Sequence, residues 1–335
     1  MCFKICLIGC GDFAVQVHGS AHLSYARSHP RTELTACCDI DAGRAKAFAE
    51  RFGYSRHYSD MEAMMDRERP DAVVVLVMPQ VTTKVVSAVL SRGLPVFLEK
   101  PPGMNLKEID DLIAISTTRM APSQVGFNRR YMPLMQRARK ILEADFAPIQ
   151  QVNYNMIRYE RNDPDFSITA IHAIDAAMFL ADSPYRRVRL DYEALEGIDV
   201  SRWNVSLRGE CESGTFVNIH IQPMAGYLSE SFSVHGVGVS LLGEVLGPGL
   251  TANVGRLEHW VADKCIGEYS DAGLTKSVRR GVDGEFAAFC DAIRSGKTPT
   301  PSLEQCRRQV CLMEALRKRE TGVIDFSALE LSAPR

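Results

Sequence analysis

A glycine turn between a short apolar run and a helical pattern constrains this chain more than any other feature of its sequence. Residues 3–8, FKICLI, are typical of a strand buried on both faces. The turn that follows reads G-x-G-x-x-A, formed by Gly9, Gly11 and Ala14, and a helical pattern begins near Asp12. A strand, a tight turn and a helix in this order predict the first βα unit of a parallel sheet.

The spacing of the small residues in this turn suits a bound diphosphate. The first glycine permits the bend, the second lets a diphosphate approach the backbone, and the small third residue lets helix and strand pack closely. Free N–H groups and the dipole at the start of the helix favour an anion. A second predicted strand ends at Asp39, whose carboxylate can accept ribose hydroxyl groups. The residues predicted to contact a dinucleotide here are Gly9, Gly11, Asp12, Phe13, Ala14 and Asp39.

Asp39 also bears on which dinucleotide is bound. A carboxylate at this position would repel a 2′-phosphate, so NAD is favoured over NADP. Arg44, on the next predicted helix, would complicate this preference if it reached back to such a phosphate. A surface position for Arg44, and a tight turn that binds nothing, are the alternative interpretations.

The rest of the chain separates into two parts. In the first, apolar strand patterns alternate with helical segments, as in the βαβ units of a parallel sheet. In the second, strand patterns follow one another, interrupted by a helix at about 166–181 and closed by helices near 284–295 and 303–320. We therefore expect an α/β Rossmann domain over 1–125 and an α+β domain with a large open, mainly antiparallel sheet over 126–335.

Composition argues against several classes of function. The formal net charge of −2 over 335 residues gives no basic footprint for nucleic acid or for an anionic membrane. The ten cysteines form no CxxC pair, so neither a metal site nor a disulfide framework is indicated. LIGC, ending at Cys10, resembles the cleavage box of a lipoprotein leader. However, only the five residues ICLIG lie between Lys4 and Cys10, which is too short for the apolar region of a leader. Because no run approaches the roughly 20 apolar residues of a membrane helix, we expect a cytoplasmic protein.

Two further strand ends carry residues suited to chemistry. Ligands of parallel sheets bind beyond the carboxyl ends of the strands. One predicted strand ends in V-M-P-Q, with Met78 and Pro79, and another in L-E-K-P-P, with Glu99 and Lys100. From the residues alone, the Glu–Lys pair is as consistent with a salt-bridged strand end as with a functional pair.

Together these motifs resemble those of the glucose–fructose oxidoreductase / inositol dehydrogenase (Gfo/Idh/MocA) family. They are the GxGxxA turn, the strand ending in Asp39, the Glu99-Lys100-Pro101 run and G-F-N-R-R-Y at 126–131. The resemblance implies NAD(P)-dependent oxidation or reduction of a hydroxyl carbon on a sugar, a cyclitol or a related small molecule. It also implies that the second domain serves oligomerisation, here as a homodimer or homotetramer formed through its sheet.

The resemblance assigns roles to several residues. Lys100 matches the family's catalytic lysine, which handles the alcohol proton while hydride moves to or from the nicotinamide. Glu99 matches a residue near the nicotinamide ribose, Pro79 with Met78 matches a turn of the cofactor site, and the Lys100–Pro101 peptide is implied to be cis. Burial and an adjacent oxidised nicotinamide would lower the pKa of Lys100 towards neutrality, where a proton shuttle works best.

The resemblance breaks at one position in the second domain. The family's D-x-x-x-H element corresponds to Ile168 and His172, with Asp175 three residues further on. Isoleucine cannot exchange a proton. Three interpretations stay open: activity with Lys100 and His172 alone, replacement of the missing carboxylate by an acid on the preceding loop, or a retained cofactor site without the usual reaction. The candidate loop acids are Asp163 and Asp165.

Other candidate substrate contacts rest on weaker patterns. Arg129 follows a predicted strand at 124–128, and Asn155 and Arg158 fall on a strand of the second domain. Two arginines would suit a carboxylated or phosphorylated substrate, while solvent-facing strand positions are the alternative. The predicted substrate contacts are Lys100, Arg129, Asn155, Arg158, His172 and Asp175.

Three functions follow from these residues. Lys100 with His172 favours a dehydrogenase or reductase, whereas Ile168 favours a dinucleotide-binding regulator without catalysis. A redox-neutral enzyme, in which NAD stays bound and is reduced only transiently, is the third.

Overall fold

The computed structural model describes residues 2–145, 148–161, 163, 165–195, 203–246 and 254–331. Its contacts divide the chain into two compact units. The first comprises the residues up to Tyr131 together with Thr275–Val310, and the second comprises Met132–Leu274 together with the residues from Cys311 onwards. The domain limits predicted from the sequence instead keep the segment 275–310 with the second domain, and their outer ends, 1 and 332–335, lie outside the described residues.

The first unit contains a six-stranded parallel sheet. Its strands are β1 (Phe3–Ile8), β2 (Thr32–Cys38), β3 (Arg56–Tyr58), β4 (Ala72–Val75), β5 (Val96–Glu99) and β6 (Ser123–Gly126). They lie in the order β3-β2-β1-β4-β5-β6. This order is that of a doubly wound dinucleotide-binding fold, in which ligands bind beyond the strand ends where the order reverses, between β1 and β4.

Helices connect these strands. A π-helical turn, Ala14–His18, continues as α1 (Gly19–Ser28), and four further helices are α2 (Ala42–Phe52), α3 (Met61–Glu68), α4 (Pro79–Ser91) and α5 (Leu106–Arg119). The side chains of Asp41, Asp60 and Asn105 accept hydrogen bonds from the first backbone N–H groups of α2, α3 and α5. These acceptors satisfy donors that a helix start leaves unpaired, which fixes where the three helices begin.

The second unit is built on a nine-stranded mixed sheet. Between α6 (Pro133–Asp145) and the C-terminal segment lie β7 (Ile149–Tyr159), α7 (Ser167–Ala181), β8 (Tyr185–Ala194), β9 (Trp203–Cys211), β10 (Phe216–Ala225), β11 (Ser229–Gly236), β12 (Val239–Leu246), β13 (Arg256–Val261) and β14 (Lys264–Ser270). With β15 (Gly322–Asp325), the strand order is β14-β13-β12-β11-β7-β10-β9-β8-β15. Only the pair β7–β10 is parallel. The predicted fold class, a Rossmann domain with a large, mainly antiparallel sheet, is confirmed.

The chain returns to the first unit after β14. The helices α8 (Lys276–Arg279) and α9 (Val282–Arg294) belong there, and α9 packs against α1 with Phe286 and Phe289 fully buried in the apolar core. The last helices are α10 (Arg307–Lys318) and α11 (Phe326–Leu331). Within the described residues, no helix combines the length and the apolar character needed to span a membrane.

Candidate active site

The turn after β1 has the geometry of a diphosphate cradle. Gly9 has φ +100°, and a Cβ added there would lie 2.3 Å from the carbonyl oxygen of Leu76, which follows β4. A Cβ added at Gly11 would meet no atom within 4 Å. The fold therefore requires glycine at position 9, while Gly11 borders open space at the start of the first helix, where backbone N–H groups favour an anion.

Asp39 holds this turn from the end of β2. Its Oδ2 accepts a hydrogen bond from Cys10 N at 2.8 Å, and its Oδ1 accepts one from Asp41 N at 2.9 Å. A carboxylate has about four acceptor positions, so the same oxygens can still accept from ribose hydroxyl groups. The sequence analysis did not foresee this supporting role.

The other residues predicted to contact the cofactor differ in exposure. Asp12 and Phe13 are exposed and Ala14 is buried at the start of the first helix. Met78 is the exposed N-cap of α4, and Pro79 is its first residue. The Arg44 side chain is largely exposed, and its Nε lies 3.6 Å from the Asp41 carboxylate on its own helix. The open turn and the acidic strand end can accommodate a dinucleotide.

Glu99 and Lys100 lie at the end of β5. The Glu99 side chain is 12% exposed, its Oε1 lies 2.8 Å from Nε2 of His18, and its Oε2 accepts from Lys100 N at 3.2 Å. Lys100 is half-buried. The Lys100–Pro101 peptide is cis, as the family resemblance implies.

A third buried side chain approaches this pair from α9. Glu285 is 1% exposed, and its carboxylate, that of Glu99 and the imidazole of His18 each offer an atom such that all three lie within 4.8 Å of one another. We name these three residues the buried acid cluster. Burial, and then the charge of Glu99, raise the pKa of Glu285 well above its ordinary value, against an opposing effect of Arg129.

Sequence reasoning missed two of the three cluster members. His18 lies four residues after Ala14 in the first helix, so its position close to the glycine turn was a signal that could have been used. The sequence contains no comparable signal for Glu285, because helical periodicity near 284–295 does not reveal which elements the helix packs against. Arg129, a predicted substrate contact, is 8% exposed on the short turn Asn128–Tyr131 in the same unit.

In the second unit, α7 carries the predicted His172 and Asp175. Both are buried, and Ile168 is half-buried on the same helix. Their helix packs against β7 and β10. The resemblance assigns His172 to the histidine of the family's D-x-x-x-H element and Ile168 to its acidic position, and both lie on this helix.

The two acids considered as replacements for the missing carboxylate are held by local contacts. Asp163 Oδ2 accepts from Arg161 Nε at 2.8 Å, and Asp165 Oδ1 accepts from Ser167 N at 3.0 Å. Both acids line a cavity of about 290 Å³, and His172 is not among its lining residues. Their described contacts thus direct Asp163 and Asp165 to a cavity that His172 does not line.

The predicted pair Asn155 and Arg158 does not share one side of β7. Buried and more exposed residues alternate along this strand, with Arg158 on the buried face and Asn155 on the other. Arg158 forms an ion pair with the fully buried Glu230, while Asn155 Nδ2 donates to Ser231 Oγ at 3.4 Å. The pleat of the strand therefore prevents both side chains from contacting one ligand from the same face.

Comparisons with known proteins agree with this fold. Residues 3–127 match the model of an oxidoreductase family with an NAD-binding Rossmann fold, Gfo/Idh/MocA. The chain is 28% identical over 198 residues to the inositol 2-dehydrogenase/D-chiro-inositol 3-dehydrogenase of Lactiplantibacillus plantarum, covering 56% of this chain and 55% of that protein. It is 25% identical over 274 residues to the inositol 2-dehydrogenase of Leifsonia xyli subsp. xyli, covering 78% of each.

The fold extends over nearly the whole chain. A crystal structure of an NAD-binding oxidoreductase from Klebsiella pneumoniae superimposes with a TM-score of 0.81 at 18% identity, covering 97% of this chain and 98% of that one. The alignment spans only about half the length of the first inositol dehydrogenase. These findings place an NAD-binding Rossmann fold of the oxidoreductase type at residues 3–127. Over these residues the chain matches the Gfo/Idh/MocA family, and the two relatives named above carry the names of inositol dehydrogenases.

Proposed function

We propose that this protein is an NAD-dependent oxidoreductase that transfers a hydride between the cofactor and a hydroxyl carbon of a sugar, a cyclitol or a sugar derivative. The observation that carries the proposal is the glycine turn, with Gly9 fixed by its φ angle, Gly11 facing open space and Asp39 accepting a hydrogen bond from the backbone of Cys10 between them. The inositol dehydrogenases among the relatives support a polyhydroxylated substrate.

Lys100 is the proposed proton shuttle. NAD, when bound, accepts or supplies the hydride, and the alcohol proton must move to or from a protein group at the same carbon's oxygen. Lys100 follows β5 directly, at the sheet edge where ligands of this fold bind, and its backbone N–H is hydrogen-bonded to Glu99. A lysine ammonium has three N–H donors and, once deprotonated, can take back a proton, which is what a proton shuttle needs.

NAD rather than NADP is the proposed cofactor. The Asp39 carboxylate stands where the adenosine ribose is expected, and a 2′-phosphate there would be repelled. Arg44, the cation that could offset this repulsion, lies beside Asp41 on its own helix. Arg129, Asn155, His172 and Asp175 stay predicted substrate contacts, with Arg158 the weakest because Glu230 already pairs with it.

To test this proposal, the protein is incubated with sugars, cyclitols and sugar acids in the presence of NAD or NADP. Turnover is measured as the change in absorbance of the reduced nicotinamide. With the best substrate, Lys100→Ala is expected to lower kcat by at least about 100-fold, the usual contribution of a general acid–base group. The affinity for NAD, measured by calorimetry, is expected to change less than about threefold. Lys84→Ala, an exposed lysine on α4, serves as the matched control and is expected to retain full activity.

Wild-type activity in Lys100→Ala would overturn the proposed role of Lys100. Measurable NAD binding with no turnover on any substrate would instead favour the second candidate function, a dinucleotide-binding regulator or a redox-neutral enzyme. The specific observation behind that candidate is Ile168, which occupies the family's acidic position on α7. The proposed assembly is a homodimer or homotetramer formed through the nine-stranded sheet, with no requirement for nucleic acid or a membrane.

A further inference from the structure

The buried acid cluster contains more potential negative charge than its surroundings can easily accommodate. Glu285 and Glu99 approach within 4.8 Å in a part of the first unit where Glu285 is 1% and His18 is 0% exposed. Two ionised carboxylates at this separation, both shielded from water, repel each other strongly. Such pairs in proteins are relieved by a bound cation or by a retained proton.

The distances favour a proton. His18 Nε2 and Glu99 Oε1 are 2.8 Å apart, which is a hydrogen-bond length. Two ligands of one tetrahedral zinc ion, each about 2.0–2.1 Å from the metal, would be roughly 3.3 Å apart. The closed His18–Glu99 contact therefore leaves no position for an ion between these two groups.

Hydrogen bonding points the same way. Neither carboxylate oxygen of Glu285 has a hydrogen-bond partner within the described residues, although both are inaccessible to water. A buried carboxylate without donors is costly, whereas a carboxylic acid carries an O–H that needs only an acceptor. Small rotations would direct that O–H to the Glu99 carboxylate or to a ring nitrogen of His18.

The surrounding elements fix Glu285 in this position. Its backbone carbonyl accepts from Gln124 Nε2 at 2.9 Å, and its neighbours Phe286 and Phe289 are fully buried. The elements packed against α9 carry other charged or titratable groups within the described residues. They include His18 and His22 from the first helix, Glu99 from β5, Arg129, Arg130 and Tyr131 from the turn 128–131, Lys276, Arg279 and Arg280 on and beside α8, and Asp283 on α9 itself.

We propose that the folded protein keeps Glu285 as a neutral carboxylic acid which, together with His18, positions the Glu99 carboxylate next to Lys100. Glu285 is thus a positioning residue that acts through Glu99, whose Oε2 accepts from the Lys100 backbone. The π-helical turn Ala14–His18 ends at His18, consistent with the concentration of such turns at functional sites. The positioning role rests on the proposed function; the protonation state does not.

The first test measures stability of the cofactor-free protein between pH 5 and 9. A group whose folded-state pKa is raised contributes stability at low pH that is lost as the pH rises, because the unfolded chain releases the proton more readily. Glutamine mimics the neutral acid and has no proton to lose. Glu285→Gln is therefore expected to have a higher melting temperature than wild type at pH 8. This margin in melting temperature is expected to shrink towards pH 5. Glu50→Gln, at an exposed acid on α2, is expected to show a margin independent of pH above about pH 6.

A margin for Glu285→Gln that is constant with pH, or that favours wild type increasingly as the pH rises, would overturn the proposal. So would a stoichiometric divalent metal in the purified wild type that is missing from Glu285→Gln. These readouts need neither substrate nor cofactor, so they remain decisive if the proposed dehydrogenase activity fails.

The second test addresses positioning. Glu285→Gln is expected to keep NAD affinity and kcat within about threefold of wild type, while Glu285→Leu, which has no hydrogen-bonding group, is expected to lose about tenfold in kcat. If glutamine preserves kcat and leucine does not, the hydrogen-bonding group at position 285 matters. A side chain that only fills space would give similar kcat values for both variants. A fully active Glu285→Leu, or a Glu285→Gln as impaired as the leucine variant, would overturn the positioning role. If Glu285→Leu does not fold, the test relies on Glu285→Gln. NAD affinity and kcat within about threefold of wild type support the positioning role, and a larger loss in kcat overturns it.

Discussion

Gly9 and Gly11 stand two residues apart and are glycine for different reasons. Gly9 has a left-handed φ of +100° and an added Cβ would overlap the Leu76 carbonyl, so the fold itself excludes a side chain. Gly11 has no such φ and faces open space, so only a ligand would collide with a side chain there. The sequence motif treats the two positions alike, whereas the structure requires glycine for folding only at position 9, and a binding role for Gly11 follows from the proposed function.

This difference predicts opposite outcomes for two matched substitutions. Gly9→Ala is expected to lower the free energy of unfolding by about 2 kcal/mol or more, from backbone strain together with the overlap. Gly11→Ala is expected to change stability by less than about 0.5 kcal/mol while weakening NAD binding. Denaturant unfolding and calorimetric titration measure the two effects. Equal destabilisation by both variants would contradict the assignment.

At the scale of elements, α5 shows how the chain fixes the segment after Lys100. Asn105 Oδ1 accepts from Glu108 N, and Asn105 Nδ2 donates to Glu108 Oε1, both at 2.9 Å. Glu108 Oε2 also accepts from Met104 N at 2.8 Å. Asn105 is the N-cap of α5, and the reciprocal bonds of Glu108 resemble a capping box.

Removing this cap should destabilise the helix start by a modest amount. Asn105→Ala is expected to cost about 1 kcal/mol, because a backbone N–H of the first turn loses its acceptor. Thr118→Ala, at an exposed position near the other end of α5, is expected to cause no loss, since alanine has the higher helix propensity. Circular dichroism during denaturant unfolding compares the two. If Asn105→Ala and Thr118→Ala change the free energy of unfolding equally, the cap does not limit the stability of α5.

At the scale of the whole molecule, β7, β10 and β11 of the nine-stranded sheet carry partly exposed side chains on the face opposite to their buried residues. Residues of β7, β10 and β11 on that face form a hydrogen-bonded set of amide and hydroxyl groups, including Asn153 Nδ2 to Ser233 Oγ at 2.9 Å and Asn218 Nδ2 to Asn153 Oδ1 at 3.0 Å. Two apolar side chains of the sheet are largely exposed: Phe216 at the start of β10 is 59% exposed and Val323 on the edge strand β15 is 60% exposed. A surface of this kind, apolar beside satisfied polar groups, suits association with a second copy of the chain.

The proposed assembly through this sheet predicts that a charge on its surface weakens association. Phe216→Glu is expected to raise the dissociation constant by at least about tenfold, which corresponds to about 1.4 kcal/mol. Met120→Glu, at an 88% exposed residue of the first unit, is the control and should leave the mass unchanged. Light scattering after size-exclusion chromatography reads out the mass. A monomeric wild type, or equal masses for all three proteins, would refute assembly through this surface.

Much of the fold and part of the candidate site could be predicted from the sequence. The turn at Gly9–Ala14, the acid at the end of β2 and the Glu99–Lys100 pair are encoded by residues close together along the chain. Such local patterns are readable because periodicity and turn chemistry depend on near neighbours. The same patterns separated the parallel first sheet from the mainly antiparallel second one.

The sequence by itself determined the strands, the glycine turn and the family resemblance of residues 3–127. Only the tertiary structure decided that α9 returns to the first unit and brings Glu285 within 4.8 Å of Glu99 and His18. It also decided that Asn155 and Arg158 lie on opposite faces of β7, and that Glu230 pairs with Arg158. The physical reason is that burial and pairing of charges depend on contacts between residues far apart in the chain, which no local pattern specifies.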